Sequence, residues 1–118
     1  LISSGWLNKL KRKKIEVHCR SIFLQGLILI DKKKFPKKFS HHFKKWFTFL
    51  EWSKNNKVRP IQLALSYVLS FKSIDKIIIG VDNCEQLNDV IKNFKKIKIL
   101  TPKKFTIKDK KIINPSLW

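Results

Sequence analysis

Ile77-Ile78-Ile79-Gly80-Val81-Asp82-Asn83-Cys84-Glu85-Gln86 is the stretch that decides the fold. Three β-branched residues in a row, apolar on both faces, are what a buried parallel strand looks like. The strand gives way to Gly80 and a short polar turn. A helical pattern follows at Leu87, Val90 or Ile91, and Phe94. Asn83 is a natural N-cap for that helix. Gln86 lies three residues later, a variant of the capping box. Free backbone N–H groups and the helix dipole at such a junction favour an anion, typically a phosphate. An ordinary βα turn carries the same pattern, so spacing leaves both readings open.

Working outward, Pro60 sits where the first turn of a helix tolerates it. Ile61, Ala64, Leu65 and Val68 continue at helical spacing through about Phe71. Before it, Phe43, Trp46, Phe47 and Leu50 form one apolar stripe, with Lys44, Lys45, Glu51 and Lys54 on other faces. Ser40 is expected to cap that helix, and Asn55-Asn56 to end it. Further back, Ile15 to Ser21 alternates, with Ile15, Val17 and Cys19 on one face of an expected strand. Leu24-Gln25-Gly26-Leu27 leaves the strand through a turn at the glycine. A charged loop holding Pro36 spans residues 31–38. The opening residues read as a helix with Ile2, Leu7 and Leu10 apolar, ending in the basic cluster Lys11–Lys14. The tail, residues 96–118, has no clear period, and its bulky end Pro115-Ser116-Leu117-Trp118 suits docking on a surface.

Helix, strand, helix pair, strand, helix and tail make parallel βα units, an α/β fold. Two parallel strands cannot close a sheet or cover both faces of residues 77–79. The expectation is therefore that residues 1–118 are one part of a larger α/β domain whose N-terminal part is absent. The length of 118 residues is well under the roughly 250 of a complete (β/α)₈ barrel.

Composition narrows the function. The 27 Lys+Arg against 8 Asp+Glu give a formal charge of +19, which by itself points to nucleic acid or an anionic membrane. Its make-up weakens that reading. Lys outnumbers Arg 24 to 3, Ile occurs 16 times and Ala once, at Ala64. That is drift toward A/T-rich codons rather than selection for phosphate recognition, where bidentate Arg is favoured. The longest near-apolar stretches are shorter than the roughly 20 residues of a membrane span. No secretory signal opens the chain, and Cys19 and Cys84 lack C-x-x-C spacing, which fits a reducing, cytoplasmic setting.

Single residues say less. His18 lies within a strand, where packing or hydrogen bonding is the usual role. His41-His42 opens a helix beside no Cys or third His, so no zinc site is expected. Cys19 and Cys84 read as small buried thiols, Cys84 being the more interesting at a helix start. Tyr67 reads as packing. Phe39, Phe43, Trp46, Phe47, Phe49 and Trp52 offer a base-stacking platform, but helical periodicity makes most of them core. No paired carboxylates, Ser-His-Asp set or G-x-G-x-x-G is found.

Two runs carry a family resemblance. Ile15-Glu16-Val17-His18-Cys19-Arg20-Ser21-Ile22-Phe23-Leu24-Gln25-Gly26-Leu27 resembles the seventh strand and following loop of the aldo-keto reductases. Residues 66–87, with Tyr67-Val68-Leu69-Ser70 and then Asp75 through Leu87, resemble their seventh helix, eighth strand and eighth helix. The closing Ile113-Asn114-Pro115-Ser116-Leu117-Trp118 looks like the C-terminus of a bacterial branch. The resemblance implies the C-terminal portion of a (β/α)₈ barrel: the last two strands and their helices. It implies an oxidoreductase that reduces an aldehyde or ketone with NADP or NAD as cofactor. Hydride passes to the carbonyl carbon, and a Tyr assisted by Lys, His and Asp protonates the oxygen. Those four belong to the barrel's first half, so the isolated chain is expected to be inactive, with no catalytic residue of its own.

The resemblance places Arg20 where an aromatic ring usually meets the nicotinamide, and a guanidinium plane can stack there. Ser21, Phe23 and Gln25 fall on the loop that contacts the pyrophosphate. Gly80, Val81, Asp82 and Asn83 fall at the adenosine 2′-phosphate. Gln86 stands where an Arg often contacts that phosphate, and Asp89 is near the adenine. Gly80-Val81 replaces a common Lys-Ser pair, and Asp82 adds a negative charge. These departures put a preference for NADP over NAD in doubt. The expected partners are a nicotinamide cofactor and a small carbonyl substrate, with no nucleic acid, membrane or metal. The rival reading is a small basic nucleic-acid-binding protein.

Overall fold

A computed structural model of the chain describes residues 5–97 together with Phe105 and Asp109. Expectations resting on Ile2, on most of the tail and on residues 113–118 lie outside the described residues. The elements run α1 (Trp6–Arg12), β1 (His18–Cys19), α2 (Phe43–Asn55), α3 (Pro60–Leu69), β2 (Lys76–Ile77) and α4 (Cys84–Lys95). Two 3₁₀ turns, Lys32–Lys34 and Lys37–His42, lead into α2.

The two strands are parallel, with His18 beside Lys76 and Cys19 beside Ile77. The ladder is much shorter than the expected strand at residues 15–21. Ser21 (φ 60°) turns into the left-handed region, through which a strand cannot continue, and β2 offers only Lys76 and Ile77 to pair with. Pairing extends one step beyond the ladder at each end. The Val17 carbonyl accepts the N–H of Asp75 at 2.9 Å, and the Ile78 N–H donates to the Cys19 carbonyl at 2.8 Å. Val17 is buried while Ile15 is 46% exposed, so Ile15 does not share its neighbour's environment. Ile77 and Ile79 are half-buried, but Ile78 is 53% exposed. Among the described residues the two-stranded sheet does not cover the apolar run Ile77-Ile78-Ile79.

The helices differ in how they start. Asn83 caps α4, its side chain accepting the Gln86 N–H at 2.9 Å. Pro60 opens α3, and the Gln62 side chain accepts the Arg59 N–H at 3.0 Å. Ser40 does not cap α2. It lies inside the second 3₁₀ turn, and α2 begins at Phe43 behind His42 with no side-chain cap. A cap residue needs extended backbone. That conformation falls at Pro36 (ψ 131°), which starts the turn, so Ser40 already has helical neighbours. Asn56 ends α2, one residue past its last turn.

The core has two parts. Ile61, Leu63, Ala64, Leu65 and Val68 make α3 the most buried element. Tyr67 is on its open side, 46% exposed, touching only the edge of Phe71 at 5.1 Å among its ring contacts. It is a surface residue rather than interior packing. The second part gathers Leu27 and Phe39 with Leu24, Ile30 and Phe35. Trp46 is buried against it, its indole N–H donating to the Leu27 carbonyl at 3.1 Å. Phe35 packs on Phe43 and Trp46 at 5.3 and 4.5 Å. Phe39 and Trp46 are thus buried, and Phe43, Phe47, Phe49 and Trp52 half-buried. These rings are packing rather than an open stacking surface. On α4 the apolar Leu87, Ile91 and Phe94 stay 42–52% exposed. No described helix is long and apolar enough to cross a membrane.

Candidate functional site

A cleft of about 770 Å³ opens beyond the C-terminal ends of the two strands. Parallel βα units send their loops to that end, which is where such folds place ligands. Arg20, Ser21, Phe23 and Gln25 form one wall, from the segment after β1. Gly80, Val81 and Asp82 form the other, from the segment after β2, and Gln86 and Asp89 of α4 complete it. Ile61, Ile78, Ile79 and Val90 supply apolar lining. Nine of the ten residues singled out in the sequence therefore face one space. Asn83 does not line it, because its side chain is turned to the helix cap.

The wall after β1 is unusual in its backbone. Leu24 (φ 49°), Gln25 (φ 51°) and Gly26 (φ 85°) are successive left-handed residues, three places after Ser21. Each non-glycine residue there costs about 1–2 kcal/mol, and such strain persists where surrounding structure enforces it. Here Leu24 N–H donates to Ser21 O at 2.9 Å, Leu27 N–H to Leu24 O at 3.1 Å and Leu29 N–H to Gly26 O at 2.8 Å. The Trp46 indole pins the Leu27 carbonyl from outside. Only Gly26 signalled this turn in the sequence. Leu and Gln carry no left-handed preference, so the tight coil at residues 24–26 was not readable.

The junction before α4 is more self-contained than the sequence suggested. The Gln86 side chain reaches past Asn83 and accepts the N–H of Asp82 at 2.9 Å. Its amide also lies 3.4 Å from the Asp82 carboxylate. Two backbone N–H groups, of Asp82 and of Gln86, are thus already bonded to side chains. A phosphate arriving there meets those bonds and the negative charge of Asp82. Of the cleft lining, Arg20 alone is cationic, while Asp82 and Asp89 are acidic.

Asp89 is not a free carboxylate. Both its oxygens receive the Arg59 guanidinium, Nη1 at 2.5 Å and Nη2 at 2.9 Å. The buried Asn93 adds its amide at 3.0 Å. Hydrogen bonds from Arg59 hold the Asp89 carboxyl below its ordinary range, and Asp89 in turn raises Arg59. Sequence reading paired neither residue, because they are thirty positions apart on different helices. No local spacing links a residue at the start of α3 to one in the middle of α4.

The remaining candidates lie apart from the cleft. His18 Nε2 is 3.1 Å from Glu16 Oε1, which also meets Lys76 Nζ at 2.7 Å. Lys76 first and His18 second hold the Glu16 carboxyl below its usual value. This is a surface ion cluster over the strand pair. Burial pushes the half-buried Cys19 thiol up, and Cys84 is exposed. Neither cysteine lines the cleft. His41 and His42 do have a third neighbour, Asp109, which the sequence distance of over sixty residues concealed.

The chain matches the model of the Aldo/keto reductase family over residues 1–113. No curated protein and no solved structure matches it. The chain belongs to the aldo/keto reductase family, and with it to the oxidoreductases.

Proposed function

We propose that this aldo/keto reductase chain is the C-terminal portion of a (β/α)₈ barrel, residues 1–118 with a tail at 96–118, and that the complete protein reduces an aldehyde or ketone with NADPH or NADH. The observation that carries the proposal is the convergence of nine positions, far apart in sequence, on one cleft at the ends of two parallel strands. Family membership supports the reaction class.

The residues present fit a nicotinamide dinucleotide in part. A cleft of about 770 Å³ lies within the usual range of roughly 300–1,000 Å³ for small-ligand sites. Its apolar lining at Ile61, Ile78, Ile79 and Val90 suits flat rings, and Arg20 offers a planar cation for stacking or for a phosphate. Ser21 and Gln25 bring polar groups and Phe23 an aromatic ring to the lining of the strained wall. At the far end the fit is poorer for a 2′-phosphate, since Asp82 repels it and Gln86 is engaged with the Asp82 backbone. The cofactor, when bound, supplies the hydride. This chain's part is to hold and orient it, and the proton donor lies in the rest of the barrel. The setting we assign is cytoplasmic.

The test is a fluorescence titration of NADH and NADPH with the protein, repeated with Arg20→Ala, alongside an aldehyde turnover assay. Saturable binding of either cofactor, weakened about tenfold or more by the substitution and without turnover by this chain, is the expected result. Equal quenching by both proteins removes Arg20 from the site. Turnover by the isolated chain overturns the division of labour.

A further inference from the structure

We propose that His41, His42 and Asp109 form a binding site for a divalent transition-metal ion, best matched by Zn²⁺, that ties Asp109 to the turn before α2. The His42 Nε2 lies 2.9 Å from Asp109 Oδ2 and the His41 Nε2 lies 3.5 Å from the same oxygen. The three ligand atoms all fall within 4.8 Å of one another. Zinc bonds to His nitrogen and carboxylate oxygen are about 2.0–2.2 Å, so the edge of a tetrahedral site is about 3.3–3.4 Å. The two measured edges bracket that value. The two imidazole rings sit 4.0 Å apart, tilted by 48°, and both present Nε2 to the same Asp109 oxygen.

The donors are of the right chemistry. Two neutral imidazoles and a carboxylate suit zinc, and three protein ligands leave one coordination position for water. The ligands are also held in place before any ion arrives. His41 and His42 close the 3₁₀ turn whose Phe39 is buried in the core. Phe105, four residues before Asp109, packs edge-on to Phe49 at 5.4 Å and to Trp52 at 5.6 Å on α2. That packing is independent of the histidines. Burial is graded, with the His42 side chain 15% exposed, Asp109 33% and His41 58%, so an ion can enter from the His41 side. The cluster is separate from the cofactor cleft, and none of its three residues lines it.

The test uses metal-stripped protein titrated with ZnCl₂ by calorimetry, and with CoCl₂ followed by visible absorption. His41→Ala alters an exposed side chain and Asp109→Asn is isosteric, so both variants are expected to keep the native circular dichroism. His18→Ala is the control. One-to-one binding that falls about tenfold or more in both variants and stays unchanged in the control is the expected outcome. No saturable binding overturns the proposal. So does one-to-one binding that both variants retain.

Discussion

Arg59 and Asp89 meet as a two-pronged ion pair that joins the start of α3 to the middle of α4, with Nη2 2.9 Å from Oδ2. Asn93, one helical turn on, donates its amide to both the carboxylate and the carbonyl of Asp89. The pair fixes one rim of the cleft, so the orientation of α4 depends on two residues outside either strand. Because the Arg59 side chain is 58% and Asp89 41% exposed, solvent screening keeps the pair at about 0.5–1 kcal/mol. Arg59→Ala is expected to lower stability by that amount in urea unfolding at neutral pH.

The pair also sets a pH dependence. The folded Asp89 carboxyl titrates below its ordinary value of 3.8. Its stabilisation is therefore fully present above that value and is lost as pH falls through the lower, folded-state one. The stability difference between wild type and Asp89→Asn is expected to be constant near neutrality and to shrink below about pH 4. A difference that grows on acidification contradicts the assignment.

Asp75 joins β2 to β1 in both directions. Its carboxylate accepts the Val17 N–H at 2.8 Å while its own N–H donates to the Val17 carbonyl at 2.9 Å. Asp75→Ala leaves a partly buried N–H without its acceptor, at a cost of about 1–2 kcal/mol. Asp75→Asn keeps an acceptor oxygen and is expected to lose less. Chemical denaturation of the two variants separates a hydrogen-bond role from a charge role.

Gly26 and Gly80 provide a matched pair on opposite walls of the cleft. A Cβ at either meets nothing within 4 Å, but Gly26 has φ +85° and Gly80 has no positive φ. Gly26→Ala is expected to cost about 1–2 kcal/mol through backbone strain alone. Gly80→Ala is expected to leave the melting temperature almost unchanged. Equal effects of the two mean that the left-handed coil at residues 24–26 is not maintained in solution.

Asp82 and Gln86 set the expected cofactor balance. With Asp82 at the proposed 2′-phosphate position and the Asp82 and Gln86 N–H groups already bonded to side chains, NADPH is expected to bind no tighter than NADH. Asp82→Asn combined with Gln86→Arg removes a repulsion and adds a cation. The ratio of the two dissociation constants is expected to move toward NADPH by about tenfold, near 1.4 kcal/mol.

Local pattern made the helices legible because caps and periodicity act over one or two turns. Asn83, Pro60 and Asn56 lie at or within a residue of where the sequence reading put helix starts and ends. Ser40 misled it, since a preceding 3₁₀ turn had already taken up the extended position at Pro36. The strand expected at residues 15–21 is shorter because left-handed Ser21 carries no sequence signal and its partner strand pairs over two residues only. Nine cleft positions were named from family likeness, which encodes three-dimensional proximity that spacing alone does not. What escaped were the long-range polar pairs: Arg59 with Asp89, Val17 with Asp75, and the two histidines with Asp109. Such pairs follow from how elements dock, and no local rule constrains them.

The cleft between the two strand-following segments is proposed to hold a nicotinamide cofactor. At 14.1 kDa the protein suits amide chemical-shift mapping during an NADH titration. Shifts are expected to concentrate at residues 20–26 and 80–89, with α1 and the middle of α2 unmoved. Saturable shifts that centre elsewhere, or no shifts at millimolar cofactor, contradict the proposal.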